Sequence, residues 1–227
     1  MKKVLDFLGH LRKHNDRDWF VEHKSEYLAA KEEFEAFAEE LINGIAAFDP
    51  TTRGLTVKDC TYRIYRDTRF SNNKDPYKAH MGAYVCPFGK KSGYAGYYFH
   101  LEPESEGAGG SFITSGLYMP EPNVLKSVRY EILENGEAFE AAIKKTKGFE
   151  LGRDNMLKKL PAGFKPGSPY DEYLKFKDIN LTKALDKAYL TSPGLAQRVV
   201  TDLKKTYDFT AQLNRAVQYA FDENTDD

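Results

Sequence analysis

The spacing of apolar residues changes along the chain, and in the first fifty residues it follows the period of an α-helix. Apolar side chains recur three and four positions apart, with Glu residues between them, at Phe34, Phe37, Ala38, Leu41, Ile42, Ile45 and Phe48. This spacing predicts a helix with one buried face, capped at its start by Asn15 or Asp16 and ended at Asp49. A shorter apolar set at residues 4–11 predicts another helix before it, so residues 1–49 are expected to be helical.

Between residues 55 and 118 the apolar pattern alternates instead, and Tyr, Phe, Val, Ile, Thr and Gly replace Glu, Lys and Ala. Alternation with these residue types is typical of β-strands. Strands are predicted near Thr56 to Asp67, Ala79 to Pro87, Tyr94 to Glu102 and Ser111 to Tyr118. The connections are short, and a parallel neighbour would need a crossover of about a dozen residues or more, so the pattern predicts antiparallel pairing.

The helical period returns after residue 120. One helix is predicted up to Asn135 and Gly136, followed by a shorter one from Glu137 to Lys147. The following residues, 149–190, contain repeated Gly and Pro. Those residues break regular elements, so irregular chain with short strands or turns is predicted there.

The last apolar pattern predicts a C-terminal helix, capped by Thr191 or Ser192 and carrying Pro193 in its first turn. Helices, a sheet and more helices make an α+β fold, with a central antiparallel sheet flanked by N-terminal and C-terminal helices. The expected order within one domain, residues 1–227, is helical 1–49, sheet 55–118 and mostly helical 120–222. Hydrophobic residues make up 41% of the chain, which is enough to bury a core.

The overall charge argues against a partner that attracts basic proteins. Lys and Arg number 33 against 34 Asp and Glu, so no general field draws the chain to nucleic acid or to an anionic membrane. No window approaches the roughly 18 consecutive apolar residues that a membrane span needs, and charges interrupt the N-terminal apolar positions. We therefore expect a cytoplasmic protein. Cys60 and Cys86 lie in predicted strands, and we expect buried free thiols rather than a disulfide.

The strongest chemical signal is the basic segment, which we define as residues 63–78. Five of its sixteen residues are Arg or Lys and only two are Asp, in a chain whose net charge is −1. Arginine presents a planar fork of donors that matches carboxylate and phosphate, and lysine adds point charges. We therefore predict a site for a small anionic ligand. Its candidate residues are Arg63, Tyr65, Arg66, Arg69, Lys74, Tyr77, Lys78 and, for close approach of a ligand or a neighbouring strand, Gly116.

A structural interpretation competes with this one. Asp67 and Asp75 lie inside the basic segment, and Glu102, Glu104 or Glu121 could reach its cations across the sheet. Ion-pair networks on exposed sheet faces are common. In that case the chain is a scaffold or a protein-interaction module, and the cations serve its stability. Nucleic-acid binding ranks third, because aromatic and basic residues interleave here but the chain has no general basicity.

No reaction can be assigned from motifs. The chain has no nucleophile elbow, P-loop, metalloprotease helix or dinucleotide fingerprint, so the catalytic residues, and whether the protein is an enzyme, stay open. His80 and His100 could act as a general base near a bound anion, although a strand histidine is more often structural. His10, His14 and His23 show no metal-ligand spacing, so we predict neither a metal nor a cofactor. The oligomeric state also stays open.

Four stretches of the chain resemble the DUF2461 family. They are NDRDWF at 15–20, YRIYRDTRFSNNKDPYKAHMGAYV at 62–85, AGYYFHLEP at 95–103 and SGLYMP at 115–120. Their order and spacing match that family from the first helix nearly to the C-terminus. The family has no established activity, so the resemblance implies a family and no mechanism. Its hallmark residues correspond to Arg63, Arg66, Asp67, Arg69, Phe70, Lys74, Pro76, Tyr77 and Lys78.

The chain departs from the family pattern at two places. The turn reads SNNKDPYK, where family members often have an acidic residue, and SGLYMP has one glycine where a second is expected beside Gly116. Neither a turn carboxylate nor a double glycine is therefore implied for the site of this protein.

Overall fold

The computed structural model describes residues 1–69, 72–103 and 110–223. Within these ranges the α-helices are α1 Lys2–Lys13, α2 Arg17–Glu22, α3 Lys24–Phe48, α4 Val57–Cys60, α5 Pro122–Lys144, α6 Lys187–Thr191, α7 Leu195–Lys204 and α8 Tyr207–Glu223. The strands are β1 Met81–Val85, β2 Gly96–Leu101, β3 Phe112–Leu117, β4 Glu150–Leu151 and β5 Ile179–Ala184. No helix of the described chain combines the length and the apolarity that crossing a membrane requires.

The five strands form one antiparallel sheet in the order β1-β2-β3-β5-β4. This confirms the predicted α+β class. Three of the four predicted strands correspond to β1, β2 and β3. The sheet also extends beyond residue 118, because β5 pairs with β3 and the two-residue strand β4 pairs with β5.

Successive side chains of a strand point to opposite faces of the sheet, and the helices cover one of these faces. Odd-numbered positions of the first three strands point towards the helices, and Ala83, Phe99 and Ile113 pack in a core with α1, α3 and α7. Towards the other end of the sheet, Leu117 and Leu181 pack with α5 and α8. The even-numbered positions lie on the opposite face, which the helices leave open.

The strand predicted near Thr56 to Asp67 is wrong. Residues 57–60 form the short helix α4, because Thr56 and Asp59 make a capping box in which the Asp59 carboxylate accepts from the Thr56 N–H at 2.8 Å. Thr61, the residue after α4, is extended and forms an isolated antiparallel β-bridge with Ala83 of β1. A local hydrogen-bond motif therefore outweighs the β-branched and aromatic composition of this stretch.

The helix ends also differ from the prediction. Asp16 is a cap, but of the separate helix α2, where its carboxylate accepts from Trp19 N at 2.9 Å. The predicted break at Asn135 is a kink with φ −123° inside one continuous α5. The predicted C-terminal helix is two helices, α7 and α8, and neither Thr191 nor Ser192 caps α7, because α6 ends at Thr191 and α7 starts after Gly194, whose φ is +69°.

The cysteine prediction is confirmed. Cys60 and Cys86 are both free and buried. Burial raises the pKa of the Cys60 thiol to about 12 and that of the Cys86 thiol to about 11, so both stay protonated at neutral pH. These thiols are packing residues and not nucleophiles.

Candidate functional site

The open face of the sheet carries a cleft of about 700 Å³. Its floor is formed by even-numbered residues of four strands, namely Gly82 and Tyr84 of β1, Tyr98 and His100 of β2, Thr114 of β3 and Thr182 of β5. One end is lined by Arg63 and Lys78 of the basic segment, and the other by residues 117–121 and the end of α8. The volume is typical of a pocket for a small molecule.

Glycine makes room for the aromatic floor. A Cβ atom on Gly82 would lie 2.4 Å from the Tyr98 hydroxyl oxygen, so only a residue without a side chain lets this ring lie across β1. The hydroxyl of Tyr84 donates to Tyr94 O at 2.8 Å, which fixes a second phenol of the cleft. The floor is therefore built from tyrosine rings held in defined positions.

Positive charge gathers at one end of the cleft. Arg63, Lys78 and Lys90 line it, and the Lys78 ammonium donates to Arg63 O at 3.0 Å. The ammonium groups of Lys78 and Lys90 lie 5.7 and 6.0 Å from the centre of the Tyr62 ring. Burial, followed by the charges of Arg63 and Arg66, lowers the pKa of Lys78. In the described ranges none of these cations forms a salt bridge, and the charges of Arg63 and Lys90 act only through space on Asp67 and Asp59.

The basic segment reaches this position because it folds back on itself. Lys78 N donates to Ile64 O at 2.8 Å and Arg66 N donates to Pro76 O at 2.9 Å, which brings the two ends of the segment side by side. The side chain of Asn15 holds this ribbon against the N-terminal helices by bonding both backbone groups of Tyr77, at 3.0 and 3.1 Å. Arg63 and Lys78, far apart in sequence, are thereby placed together.

A chain of polar groups runs along the edge of the floor. The Tyr98 hydroxyl lies 2.9 Å from His100 Nδ1, and His100 Nε2 lies 2.9 Å from Glu102 Oε2. The other carboxylate oxygen of Glu102 pairs with the Arg12 guanidinium. Because a carboxylate only accepts, the proton of neutral His100 lies on Nε2 and Tyr98 donates to Nδ1. An imidazole oriented in this way by a carboxylate can act as a general base towards the Tyr98 hydroxyl, whose proton points at its Nδ1 lone pair.

His80 lies beside this chain, with its ring centre 4.6 Å from that of His100. Burial, together with the proximity of His100, lowers the pKa of His80 to about 4. The imidazole is therefore neutral at pH 7, with a lone pair on one nitrogen.

Of the eight residues predicted from sequence, Arg63, Lys78 and Gly116 line the cleft. Gly116 there has φ +135°, and a Cβ atom on it would lie 2.0 Å from Ile179 O. It therefore permits close approach of the neighbouring strand β5, which is one of the two roles expected for it.

The other five predicted residues are not among those that line the cleft. Arg69 makes a two-point ion pair with Asp67, at 3.0 and 2.7 Å, and Lys74 donates to Thr68 O at 3.1 Å. Tyr77 stacks on Phe20 with a centroid distance of 3.9 Å, and Tyr65 packs beside Tyr77. Arg66 has a buried Nε atom without a hydrogen-bond partner among the described residues.

Among the described residues, neither Glu102 nor Glu121 forms the salt bridge with the basic segment that the structural interpretation expected. Glu102 pairs with Arg12 of α1 instead, and Glu121 lines the far end of the cleft. Glu104 lies outside the described residues, as does Phe70.

Sequence reasoning missed Tyr98 and Lys90, and it considered Glu102 only as an ion-pair partner of the basic segment. Tyr98 and Glu102 share a face with His100 because the three residues lie two positions apart along one extended stretch, a period that could have grouped them. Nothing in the local pattern distinguishes Lys90, which comes from a turn and reaches the cleft only through the fold.

Comparison with known proteins supports the family but adds no activity. A family model described as "Conserved hypothetical protein (DUF2461)" matches residues 3–211 of the 227-residue chain, which confirms the resemblance inferred from the four sequence stretches. No curated protein and no solved structure matches. The function must therefore be inferred from the cleft itself.

Proposed function

This chain belongs to the DUF2461 family, and we propose that it binds a small molecule with a phosphate or carboxylate group and a flat body in the cleft on its sheet. The observation that carries the proposal is the pair Arg63 and Lys78 at the end of an aromatic cleft. The Lys78 ammonium donates to the backbone oxygen of Arg63 at 3.0 Å, and neither side chain forms a salt bridge within the described ranges.

Like charges are costly to bring together. Burial is the largest cause of the lowered pKa of Lys78, and the positive charges of Arg63 and Arg66 lower it further. A bound oxyanion would remove this repulsion and would accept hydrogen bonds from both side chains. Asp67, four residues after Arg63, has both carboxylate oxygens bound by the Arg69 guanidinium.

The tyrosines of the cleft indicate that the rest of the ligand, apart from its anionic group, is planar and apolar. Tyr62, Tyr84, Tyr94 and Tyr98 line the cleft, and their rings offer faces and edges to a planar apolar group. Their hydroxyls offer a few polar contacts within a mostly aromatic wall, which is the usual composition of a small-molecule site. The free, buried cysteines fit a reducing compartment, and we place this function in the cytoplasm.

The second candidate is a scaffold or protein-interaction module. The two-point pair between Arg69 and Asp67 favours it for that part of the basic segment, because two donors of this guanidinium are already used by a carboxylate of the protein itself. Exposed ion pairs contribute only about 0–1 kcal/mol, however, so this pair adds little to the stability of the fold.

A thermal-shift panel distinguishes these candidates. It contains phenyl phosphate, benzoate, nucleoside monophosphates, inorganic phosphate and sulfate, each at millimolar concentration. A ligand present at about 100 times its Kd stabilises the folded chain by about 2.7 kcal/mol, which raises Tm by roughly 5–10 °C for a domain of this size. We expect aryl phosphates or aryl carboxylates to raise Tm most.

The chain supplies a matched control within one segment. The double variant Arg63→Ala, Lys78→Ala removes two positive charges from the cleft, whereas Arg69→Ala, Lys74→Ala removes two from the part of the segment that lies outside it. We expect the first to lose the ligand-induced shift and the second to keep it. A panel without any stabilising anion, or equal shifts in both variants, would contradict the proposal.

A further inference from the structure

We propose that His80, His100 and Glu102 form a binding site for one divalent transition-metal ion at the edge of the cleft. The side chains offer two imidazole nitrogens and one carboxylate oxygen, and these atoms all lie within 4.8 Å of one another. The proposal is independent of the anion site, because it concerns other residues and can be tested on the protein without any organic ligand.

The sheet brings the three ligands together. The antiparallel register pairs Met81 with Leu101 and Gly82 with His100, and continuing it by one residue places His80 opposite Glu102. His100 and Glu102 are two residues apart in extended chain, so their side chains point to the same face. The three donors therefore converge on one side of a β-ladder, which is a rigid support for a metal site.

The distances need little adjustment. Ligand atoms about 2.1 Å from a tetrahedral metal lie about 3.4 Å apart, so the most distant pair of this cluster must approach by at most about 1.4 Å. A rotation of His80 can provide this movement, because neither of its ring nitrogens has a hydrogen-bond partner in the described part of the chain. His100 Nε2 and Glu102 Oε2 are already 2.9 Å apart.

Two of the three ligands have the outer contacts that metal ligands usually have. Tyr98 lies 2.9 Å from His100 Nδ1, and Arg12 holds the carboxylate oxygen of Glu102 that does not face His100. Metal binding at Nε2 requires the tautomer with the proton on Nδ1, which then donates to the Tyr98 oxygen. The contact of His100 with Tyr98 and that of Glu102 with Arg12 are therefore both kept when the ion binds.

The chemistry of the donors selects the ion. Two imidazoles and one carboxylate bind Zn²⁺ in hydrolytic enzymes and Fe²⁺ in oxygenases, and both kinds of site keep open positions for water or substrate. His80 and His100 both line the cleft, so the open positions of this ion would face it. A water or a ligand oxygen could bind there.

Titration of the untagged protein with Zn²⁺ by calorimetry tests the site, and Co²⁺ provides a visible absorption signal as a second measurement. We expect one ion per chain. His80→Ala and Glu102→Gln should each weaken Zn²⁺ binding by more than tenfold, since losing even an outer contact of a metal ligand costs roughly 10- to 100-fold. Both variants should also lose the Co²⁺ spectrum.

The control is His10→Ala, which removes an exposed histidine from α1 and should leave binding unchanged. His80→Ala removes no hydrogen bond that the described residues show, so it should remain folded, and circular dichroism checks this. Absence of Zn²⁺ and Co²⁺ binding in the folded wild-type protein would overturn the proposal. So would a weakening of less than tenfold in His80→Ala, because the ion would then bind elsewhere.

Discussion

Gly116→Ala is expected to lower the free energy of unfolding by about 4 kcal/mol. Gly116 has φ +135°, a conformation that costs a residue with a side chain roughly 1–3 kcal/mol. The new Cβ atom would also lie 2.0 Å from Ile179 O. That oxygen belongs to the backbone of β5, which the pairing of Leu117 with Ile179 holds against β3, and overpacking there adds roughly 1–3 kcal/mol. Urea denaturation followed by circular dichroism measures the loss.

Gly9→Ala is the matched control. Gly9 lies inside α1, and a Cβ atom there would meet nothing within 4 Å. Alanine in a helix is more stable than glycine by roughly 0.5–1 kcal/mol, so this variant should be slightly stabilised. If Gly116→Ala were as stable as the wild-type protein, the close pairing of β3 with β5 would be wrong.

Asp202→Asn is expected to lower the free energy of unfolding by about 2–3 kcal/mol. Asp202 lies on α7, and its carboxylate binds Lys183 of β5 and Lys205 at 2.5 Å each and the Tyr189 hydroxyl at 2.9 Å. Its exposed fraction is only 7%. Breaking a buried ion pair costs roughly 3–5 kcal/mol, and the partial exposure of both lysines reduces that figure.

The effect should depend on pH. Burial raises the pKa of Asp202, but the hydrogen bonds from Lys183, Lys205 and Tyr189 outweigh it and hold the pKa below its ordinary value. A carboxylate with a lowered pKa stabilises the folded state above its unfolded pKa of about 3.9 and loses this effect as pH falls through the folded pKa. The difference between wild type and Asp202→Asn should therefore be full at pH 7 and shrink below about pH 4.

Asp208→Asn is the control for this prediction. Asp208 binds Lys145 at 2.6 Å, but both side chains are more than half exposed. Exposed pairs contribute about 0–1 kcal/mol, so this substitution should have little effect at either pH. A loss as large as that of Asp202→Asn would show that burial is not the cause of the difference.

The sequence was most informative where one physical effect dominates. Alternation located β1, β2 and β3, because each of these strands buries one face against helices and must keep its period. It failed at residues 57–60, where a capping box forms a helix out of residues that favour strands. It also failed to show that β5 completes the sheet, because Gly and Pro in the preceding chain hide the strand signal.

For the site, composition identified the basic segment but not which of its cations meet. Arg63 and Lys78 are placed together by backbone pairing between the two ends of the segment, whereas Arg69 and Lys74 lie in the loop between them. Which cations lie together therefore depends on the residue at which the basic segment reverses direction, and composition does not give that residue. The grouping of His80 with His100 and Glu102 depends on strand register in the same way, and a single sequence without a known register does not contain it.

The most direct test of the account is a crystal structure of the protein grown with phenyl phosphate. We predict the phosphate within hydrogen-bond distance of the Arg63 guanidinium and the Lys78 ammonium, and the phenyl ring against the tyrosines of the cleft. A cleft that stays free of ligand at saturating concentration, or a phosphate bound only at Arg69 and Lys74, would contradict it.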